Sequence, residues 1–380
     1  MSTNHLHYKF VLVSTQKQWH GGEEQARLLA AGLRRHGHDV LLLAPEGSQF
    51  TKRMRSENFE VQTFAGRGRS PQNLFKIRQM LSFAEPDVLI YNDAHALTSA
   101  GLAASGLPIT VRLAMRRVNF SLQMASRYSL FSDRVLCVSS AVAAACRISG
   151  LSPDLLRVVH DGVDPTRAQN GNRQLGRESL GLNNDHFMLL TTATLTDPKG
   201  HRYLLEAMPE VIQNHPNVRL MLAGDGELLE ELQTFVQNHN LSNHVQFLGF
   251  RNDIPDLLQG ADLFVMPSHQ EGLNTSIIDA MFAECPVVAT SAGGIPDLLV
   301  DHSLPQPISW SVAPKNPVAL SKAISEAIAN PKMCKKRAAG AKKRAEHLFS
   351  AERMVTRTLA ICQEVFDEKR SLHSYLRRAA

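Results

Sequence analysis

PSHQEGLNTSIIDAMFAECPVVATSAGGIPD, residues 267–297, decides how this chain is read, because it sets two carboxylates, Glu271 and Asp279, around the start of a helix with seven residues between them. Just upstream, ADLFVM (261–266) has the length and apolar run of a short buried strand; downstream, PVVAT (286–290) has the same, and 277–283 reads as helix between them. The order is strand, loop, helix, strand. In such a unit the loop at the strand's carboxyl end and the first amides of the helix form an anion site, since unpaired N–H groups and the helix dipole both favour negative charge. Gly272, Leu273, Asn274 and Thr275 occupy that loop and are candidates to hold a phosphate.

Outward from this unit the same alternation recurs. Strand-like runs lie at 10–13, 40–43, 59–64, 88–91, 109–113, 135–138 and 157–159, with helical segments between them. A polar stretch, DGVDPTRAQNGNRQLGRESLGLNND (161–185), interrupts the pattern and reads as a linker. A second series follows at 187–193, 218–223, 245–248, 263–266 and 287–290, and the chain ends in helical segments from about 321 to 378. Alternating strands and helices mean parallel sheets covered by helices. At 380 residues the chain is comfortable for two such α/β domains, expected over 1–165 and 186–359 and joined by a linker over 166–185. Two similar hinged domains imply a cleft, and ligands of open α/β sheets bind at the carboxyl ends of the strands.

Composition narrows the class. With 43% hydrophobic and 20% charged residues, the chain is an ordinary globular protein. The opening MSTNHLHYKFVLVS lacks signal-peptide order, and no apolar run approaches the roughly 18 residues that a membrane helix needs, so a cytoplasmic location is expected. Five cysteines, odd in number and without CxxC spacing, argue against a disulfide framework or zinc site. The net +5 is unevenly spread: +6 over 1–165, −9 over 166–330 and +8 over 331–380. The basic ends suit a peripheral contact with an anionic membrane at its inner face, and equally suit plain solubility. No nucleic-acid partner is implied.

Candidate residues follow the strands. Gly21-Gly22 opens a helix after the first strand, where glycine lets a ligand approach the backbone and the new helix offers N–H groups; a plain turn is the competing reading. His95 follows the fourth strand in Asp93-Ala-His95, a position that also fits a surface or capping residue. Lys199-Gly200 follows the first strand of the second series, with Thr194 at that strand's end, and Gly224 and Phe250 follow later strands in AGDG (223–226) and FLGFR (247–251). Neither G-x-x-x-x-G-K-[ST] nor G-x-G-x-x-G follows the first strand, which demotes phosphoryl and hydride transfer. Residues 112–131, RLAMRRVNFSLQMASRYSLF, combine Arg112, Arg116 and Arg117 with apolar side chains; they suit an acidic glycolipid or a helix packed on the sheet.

The 267–297 stretch resembles the donor-site signature of family-4 glycosyltransferases with the GT-B fold, in which a glutamate, seven residues and a second glutamate precede an Ala-Met and a Pro-Val-Val-Ala strand. The resemblance extends in order and spacing from about residue 9 to 350. It implies two Rossmann-like α/β domains facing a central cleft, with the last helix, about 360–380, packing back on the first domain. It implies a retaining, metal-independent transfer of a sugar from a nucleotide-diphosphate sugar to a hydroxyl of a glycan or lipid-linked acceptor, with no cofactor beyond that donor. Glu271 would lie at the donor's anomeric region and Asp279, one methylene shorter than the family glutamate, at the ribose. Gly21, Gly22 and Lys199 would face the diphosphate, Gly224 would match the Gly-x-Gly turn, Phe250 would lie in the loop that reads the base, and His95 would face the acceptor. Thr194 replaces the family arginine that clamps the diphosphate, leaving Arg202 or Lys17 as substitute cations. Asp161 replaces an asparagine in the turn before the linker. No Asp-x-Asp pair, which chelates a metal in the other common glycosyltransferase fold, lies near the expected donor site. Some segments also resemble bacterial members that build lipopolysaccharide and other surface glycans. A GT-B epimerase or hydrolase and a catalytically silent nucleotide-sugar binder are the competing functions.

Overall fold

The computed structural model describes residues 7–66, 68–301 and 306–379, which fall into two compact units, Met1–Gly162 with Ala351–Ala380 and Val163–Ser350. The first unit runs β1 (Lys9–Val13), α1 (Gly21–Arg35), β2 (Asp39–Pro45), α2 (Gln49–Ser56), β3 (Glu60–Phe64), α3 (Pro71–Ala84), β4 (Val88–Tyr91), α4 (Ala94–Ala103), β5 (Val111–Arg116), α5 (Ser126–Phe131), β6 (Arg134–Cys137), α6 (Ser140–Ile148) and β7 (Leu156–Val158). The second runs α7 (Thr166–Gln169), α8 (Arg173–Glu178), β8 (Phe187–Thr192), α9 (His201–Asn214), β9 (Val218–Ala223), α10 (Leu229–Asn238), β10 (Val245–Gly249), α11 (Ile254–Gly260), β11 (Leu263–Met266), α12 (Thr275–Phe282), β12 (Val287–Thr290), α13 (Ile295–Leu299), β13 (Trp310–Val312), α14 (Pro317–Ala329) and α15 (Pro331–Leu348). A last helix, α16 (Ala351–Ala379), returns to the first unit; Ala380, the end of the helix expected over 360–380, lies outside the described residues.

Both sheets are parallel, in the orders β3-β2-β1-β4-β5-β6-β7 and β10-β9-β8-β11-β12-β13. Strands such as β4 (VLIY) and β11 (LFVM) are buried at every position, because helices cover both faces of a parallel sheet; hence their unbroken apolar runs. In each order the direction of winding reverses once, between β1 and β4 in the first unit and between β8 and β11 in the second. Loops leaving such a pair of strands diverge to opposite faces and open a crevice at the carboxyl edge. That geometry brings together the segments after β1 and β4, and those after β8 and β11.

Three expectations need correction. The stretch read as a linker, 166–185, carries α7 and α8, which belong to the second unit. A side chain at Gly171 or Gly176 would fall 2.0 and 2.1 Å from the carbonyl oxygens of Pro255 and Asp256, so these glycines are packing positions against α11. The basic stretch 112–131 is not one amphipathic helix: it is strand through Arg116, then loop, with helix only over Ser126–Phe131. The final helix begins at Ala351, and its Val355, Ile361, Cys362, Val365 and Phe366 are buried in one cluster with Phe10, Leu29 and Leu33. Gly32 of α1 admits it there: a Cβ at that position would sit 2.2 Å from Val355 Cγ2. All five cysteines are free and buried. Among the described residues, no helix is long and apolar enough to cross a membrane.

Candidate active site

In the second unit, Lys199 ends the 3-10 turn after β8 and Glu271 lies in the loop after β11, so the reversal in strand order places them together. Lys199 Nζ donates to Glu271 Oε1 over 2.8 Å; Ser268 Oγ and Asn274 Nδ2 donate to the same oxygen over 2.8 and 2.7 Å. Glu271 is 6% exposed, and a carboxylate buried to that degree is tolerable only when its lone pairs are met. Asn274 serves twice, since its Oδ1 accepts from Ile277 N at 3.0 Å and caps α12. The cap of this helix is therefore Asn274 and not Glu271. Thr275 is the first helical residue and Gly272 and Leu273 lie in the loop before it, so the four residues named as anion-loop candidates surround the amino end of α12.

Main-chain clamping fixes these loops. Gly293, with φ +51°, leaves room for the Glu271 carbonyl oxygen, which a Cβ would meet at 1.9 Å; Gly200, with φ +67°, does the same for Pro267 O at 2.3 Å. Gly224 N donates to Gly249 O at 2.8 Å, tying the ends of β9 and β10. Phe250, next along, is 74% exposed, a large ring left uncovered at the carboxyl edge. Asp279 is buried on the second turn of α12, within 3.5 Å of Arg167 Nη2 from α7. Thr194 is exposed, its hydroxyl 3.5 Å from that of Thr196, and brings no charge. Of the substitute cations, Arg202 is paired with Glu206 and Glu231.

In the first unit, Gly21 and Gly22 begin α1, and a buried polar network lies under them. Glu23 accepts from Ser14 Oγ at 3.2 Å and from the His20 amide at 3.3 Å. Asn92 Nδ2 lies 3.4 Å from both Glu23 Oε1 and the Gly22 carbonyl, and Asn92 Oδ1 accepts from Arg117 Nη1 at 2.8 Å. Arg117 Nε reaches Asp161 at 3.2 Å. Burial pushes the Glu23 and Asp161 carboxyls up, and Arg117 acts against that at both. The aspartate that departs from the family turn is thus the counter-charge of Arg117. His95 stands one residue into α4, whose cap Asp93 accepts from the His95 and Ala96 amides at 2.9 Å and from Thr15 of the loop after β1 at 2.7 Å. The Arg69 guanidinium donates to His95 Nδ1.

The three arginines proposed for an acceptor separate. Arg112 lies near the amino end of β5 and donates to the carbonyls of Ala104 and Leu107, both at 3.1 Å, so it braces a loop at the opposite edge of the sheet from the site. Arg117 belongs to the network under α1. Arg116, at the carboxyl end of β5, lines a cavity beside His95. Sequence reading missed Ser268, Asn92 and Arg69. Ser268 had a signal, its place three residues before Glu271 on the same loop; Arg69 had none, because it reaches His95 from a different loop.

Residues 172–344 match the family described as "Glycosyl transferases group 1" and residues 19–167 match "Glycosyltransferase Family 4". The chain belongs to the family-4 glycosyltransferases. Among curated relatives of this glycosyltransferase, an uncharacterized glycosyltransferase of Methanocaldococcus jannaschii is 31% identical over 50% of this chain and 49% of its own. The Escherichia coli UDP-Gal:alpha-D-GlcNAc-diphosphoundecaprenol alpha-1,3-galactosyltransferase is 30% identical over 43% of this chain and 44% of its own. The chain thus spans about half the length of the curated relatives it matches. The solved structure of Anabaena HepE in complex with UDP superposes with a TM-score of 0.82 over 94% of this chain and 100% of that one, at 22% identity, and shows that the fold is GT-B.

Proposed function

We propose that this family-4 glycosyltransferase moves a sugar from a nucleoside diphosphate sugar to a hydroxyl of a glycan or lipid-linked acceptor, with retention at the anomeric carbon and without a metal ion. The observation that carries this is the Lys199–Glu271–Asn274 cluster at the amino end of α12. As the diphosphate leaves, negative charge develops on it; Lys199 has two donors beyond the one engaged by Glu271, and the first amides of α12 add their dipoles. Positive charge develops at the anomeric carbon, where the fixed Glu271 carboxylate orients the sugar hydroxyls and stabilises that charge. Asp279 takes the ribose, the Gly224 and Phe250 loops take the base side, Gly21 and Gly22 offer the α1 amides to phosphate, and His95 faces the acceptor. The Escherichia coli relative, whose name gives a lipid-diphosphate-linked sugar as acceptor, supports the lipid-linked acceptor; the same proposal puts the reaction in surface-glycan synthesis, lipopolysaccharide included, at the cytoplasmic face of an anionic membrane.

Calorimetry with the free nucleoside diphosphates, followed by donor turnover with and without EDTA and assignment of the product's anomeric configuration by NMR, tests each part. Binding of one diphosphate, EDTA-insensitive turnover and a retained configuration are expected. No diphosphate bound at millimolar concentration sinks the reading; inversion or EDTA sensitivity sinks only the mechanism.

A further inference from the structure

A cavity of about 570 Å³ opens in the first unit beside His95, between the start of α4, the end of β5 and the loop that leads into α5. Its walls include Arg69, Arg116 and Arg127 with Phe120 and Met124, and no acidic residue. The partners of these guanidinium groups include no carboxylate. Arg116 Nη2 donates to Phe120 O at 2.6 Å; Arg127 donates to Thr98 Oγ1 at 2.7 Å and Gln123 O at 2.9 Å; Arg69 donates to the His95 ring. Among the described residues none of the three has a carboxylate within ion-pair distance, although the other buried arginines do, Arg134 with Glu364 and Arg177 with Asp262.

The contrast matters most at Arg116, which is 8% exposed. The bond to the Phe120 carbonyl leaves its charge, and its buried Nε meets no partner; an uncompensated charge removed from water is costly. With the half-buried Arg127 and the exposed Arg69 on the same cavity, the buried Arg116 makes a positive potential next to a histidine, with planar forks shaped for two-oxygen anions. The wall is also set in an unusual backbone: Met124 has φ +63°, a conformation that non-glycine residues hold only where surrounding structure imposes it, commonly at binding sites.

We propose that this cavity binds an anionic group of the acceptor, a phosphate, diphosphate or carboxylate, with Arg69, Arg116 and Arg127 as its counter-charges, and so holds the acceptor beside His95. The proposal rests on the transferase reading and adds to it that the acceptor is selected by charge. Phe120 and Met124 line the same cavity and take the apolar face of the sugar or the first methylenes of a lipid.

Calorimetry on the full chain tests it, with and without the nucleoside diphosphate that the chain binds. The probes are inorganic pyrophosphate, decyl diphosphate, a disaccharide ending in glucuronate, and neutral octyl glucoside. At least one anionic probe should bind ten times or more tightly than octyl glucoside. Preference for decyl diphosphate assigns the charge to a lipid linkage, and preference for the glucuronate disaccharide to the saccharide. The double variant Arg69→Gln/Arg127→Gln should weaken that probe at least tenfold with the melting temperature and nucleotide affinity unchanged, and Arg69→Lys/Arg127→Lys should recover part of the loss. Any of three results overturns the proposal: no anionic probe bound at millimolar concentration, equal binding of neutral and charged probes, or equal losses in the glutamine and lysine variants. Failure to bind any nucleotide would instead sink the transferase reading, and the titration without nucleotide keeps the two failures apart.

Discussion

At Glu271 one carboxylate oxygen takes hydrogen bonds from Lys199, Ser268 and Asn274, whereas the cavity beside His95 gathers three guanidinium groups and no acid. Both lie where the winding of a parallel sheet reverses, so topology alone does not distinguish them. Charge balance does. The second unit holds its acid with partners from its own chain, which fixes the carboxylate before any ligand arrives and offsets the cost of burying it. In the first unit, Arg69, Arg116 and Arg127 line a cavity without an acid, the charge that the proposed anionic group would balance.

The sharpest way to break this contrast is to unbalance the closed side. Lys199→Ala should cost about 2 to 4 kcal/mol of transition-state stabilisation, roughly 30- to 1000-fold in turnover, as loss of one preorganised charge donor commonly does. Near-normal turnover would remove Lys199 from the site. Acid adds charge to the same region. His201, next to Lys199, is 2% exposed, neither ring nitrogen meets a hydrogen-bond partner, and burial pushes its pKa down to about 4. A folded pKa below the unfolded value of about 6.5 means that only the unfolded chain takes up the proton as pH falls. Stability contributed by the neutral ring is therefore full above pH ~6.5 and declines by roughly 3 kcal/mol as pH falls toward 4. Urea midpoints at pH 7 and 4.5 for His201→Phe should show a smaller acid loss than the wild type; equal losses would reject this origin.

Glu271→Gln keeps an oxygen for all three donors and discards the charge, so turnover should drop by about tenfold, about 1.4 kcal/mol, at a nearly constant melting temperature. A destabilised variant with near-normal turnover per folded molecule would assign Glu271 to the fold and leave His95 as the better catalytic candidate. Asp279→Asn should act least, weakening nucleotide binding by roughly three- to tenfold, about 1 kcal/mol, with turnover at saturation retained. A fall in turnover at unchanged affinity would contradict a ribose contact.

Legibility in the sequence followed the same division. The strands at 88–91, 263–266 and 287–290 were readable to the residue because both faces are buried, which favours an apolar run, and 218–223 was readable despite the half-buried Arg219. The three-residue β13 carries too little pattern to be seen. The 166–185 stretch misled because its polar, glycine-containing composition imitates a linker, while Gly171 and Gly176 in fact let α11 approach at contact distance, a long-range fact. Lys199 and Glu271 were found because each follows a strand directly. The 112–117 arginines were grouped by proximity in sequence, yet a strand carries Arg112 and Arg116 to opposite edges of the sheet, and only the tertiary structure sorts them.

The return of α16 to the first unit has a consequence for biosynthesis. The second unit is continuous from Val163 to Ser350, but the first is closed only by residues from Ala351 onward. At translation rates of about 5–20 residues per second, the 188 intervening positions separate the two parts of the first unit by roughly ten to forty seconds. Through that interval the face that later receives Val355, Ile361 and Phe366, with Leu29 and Leu33 on it, stands open on the nascent chain. The usual order of folding from the amino terminus is thereby reversed: the half synthesised second is complete first, and the amino-terminal half is the one exposed to chaperones and proteases until the last helix leaves the ribosome.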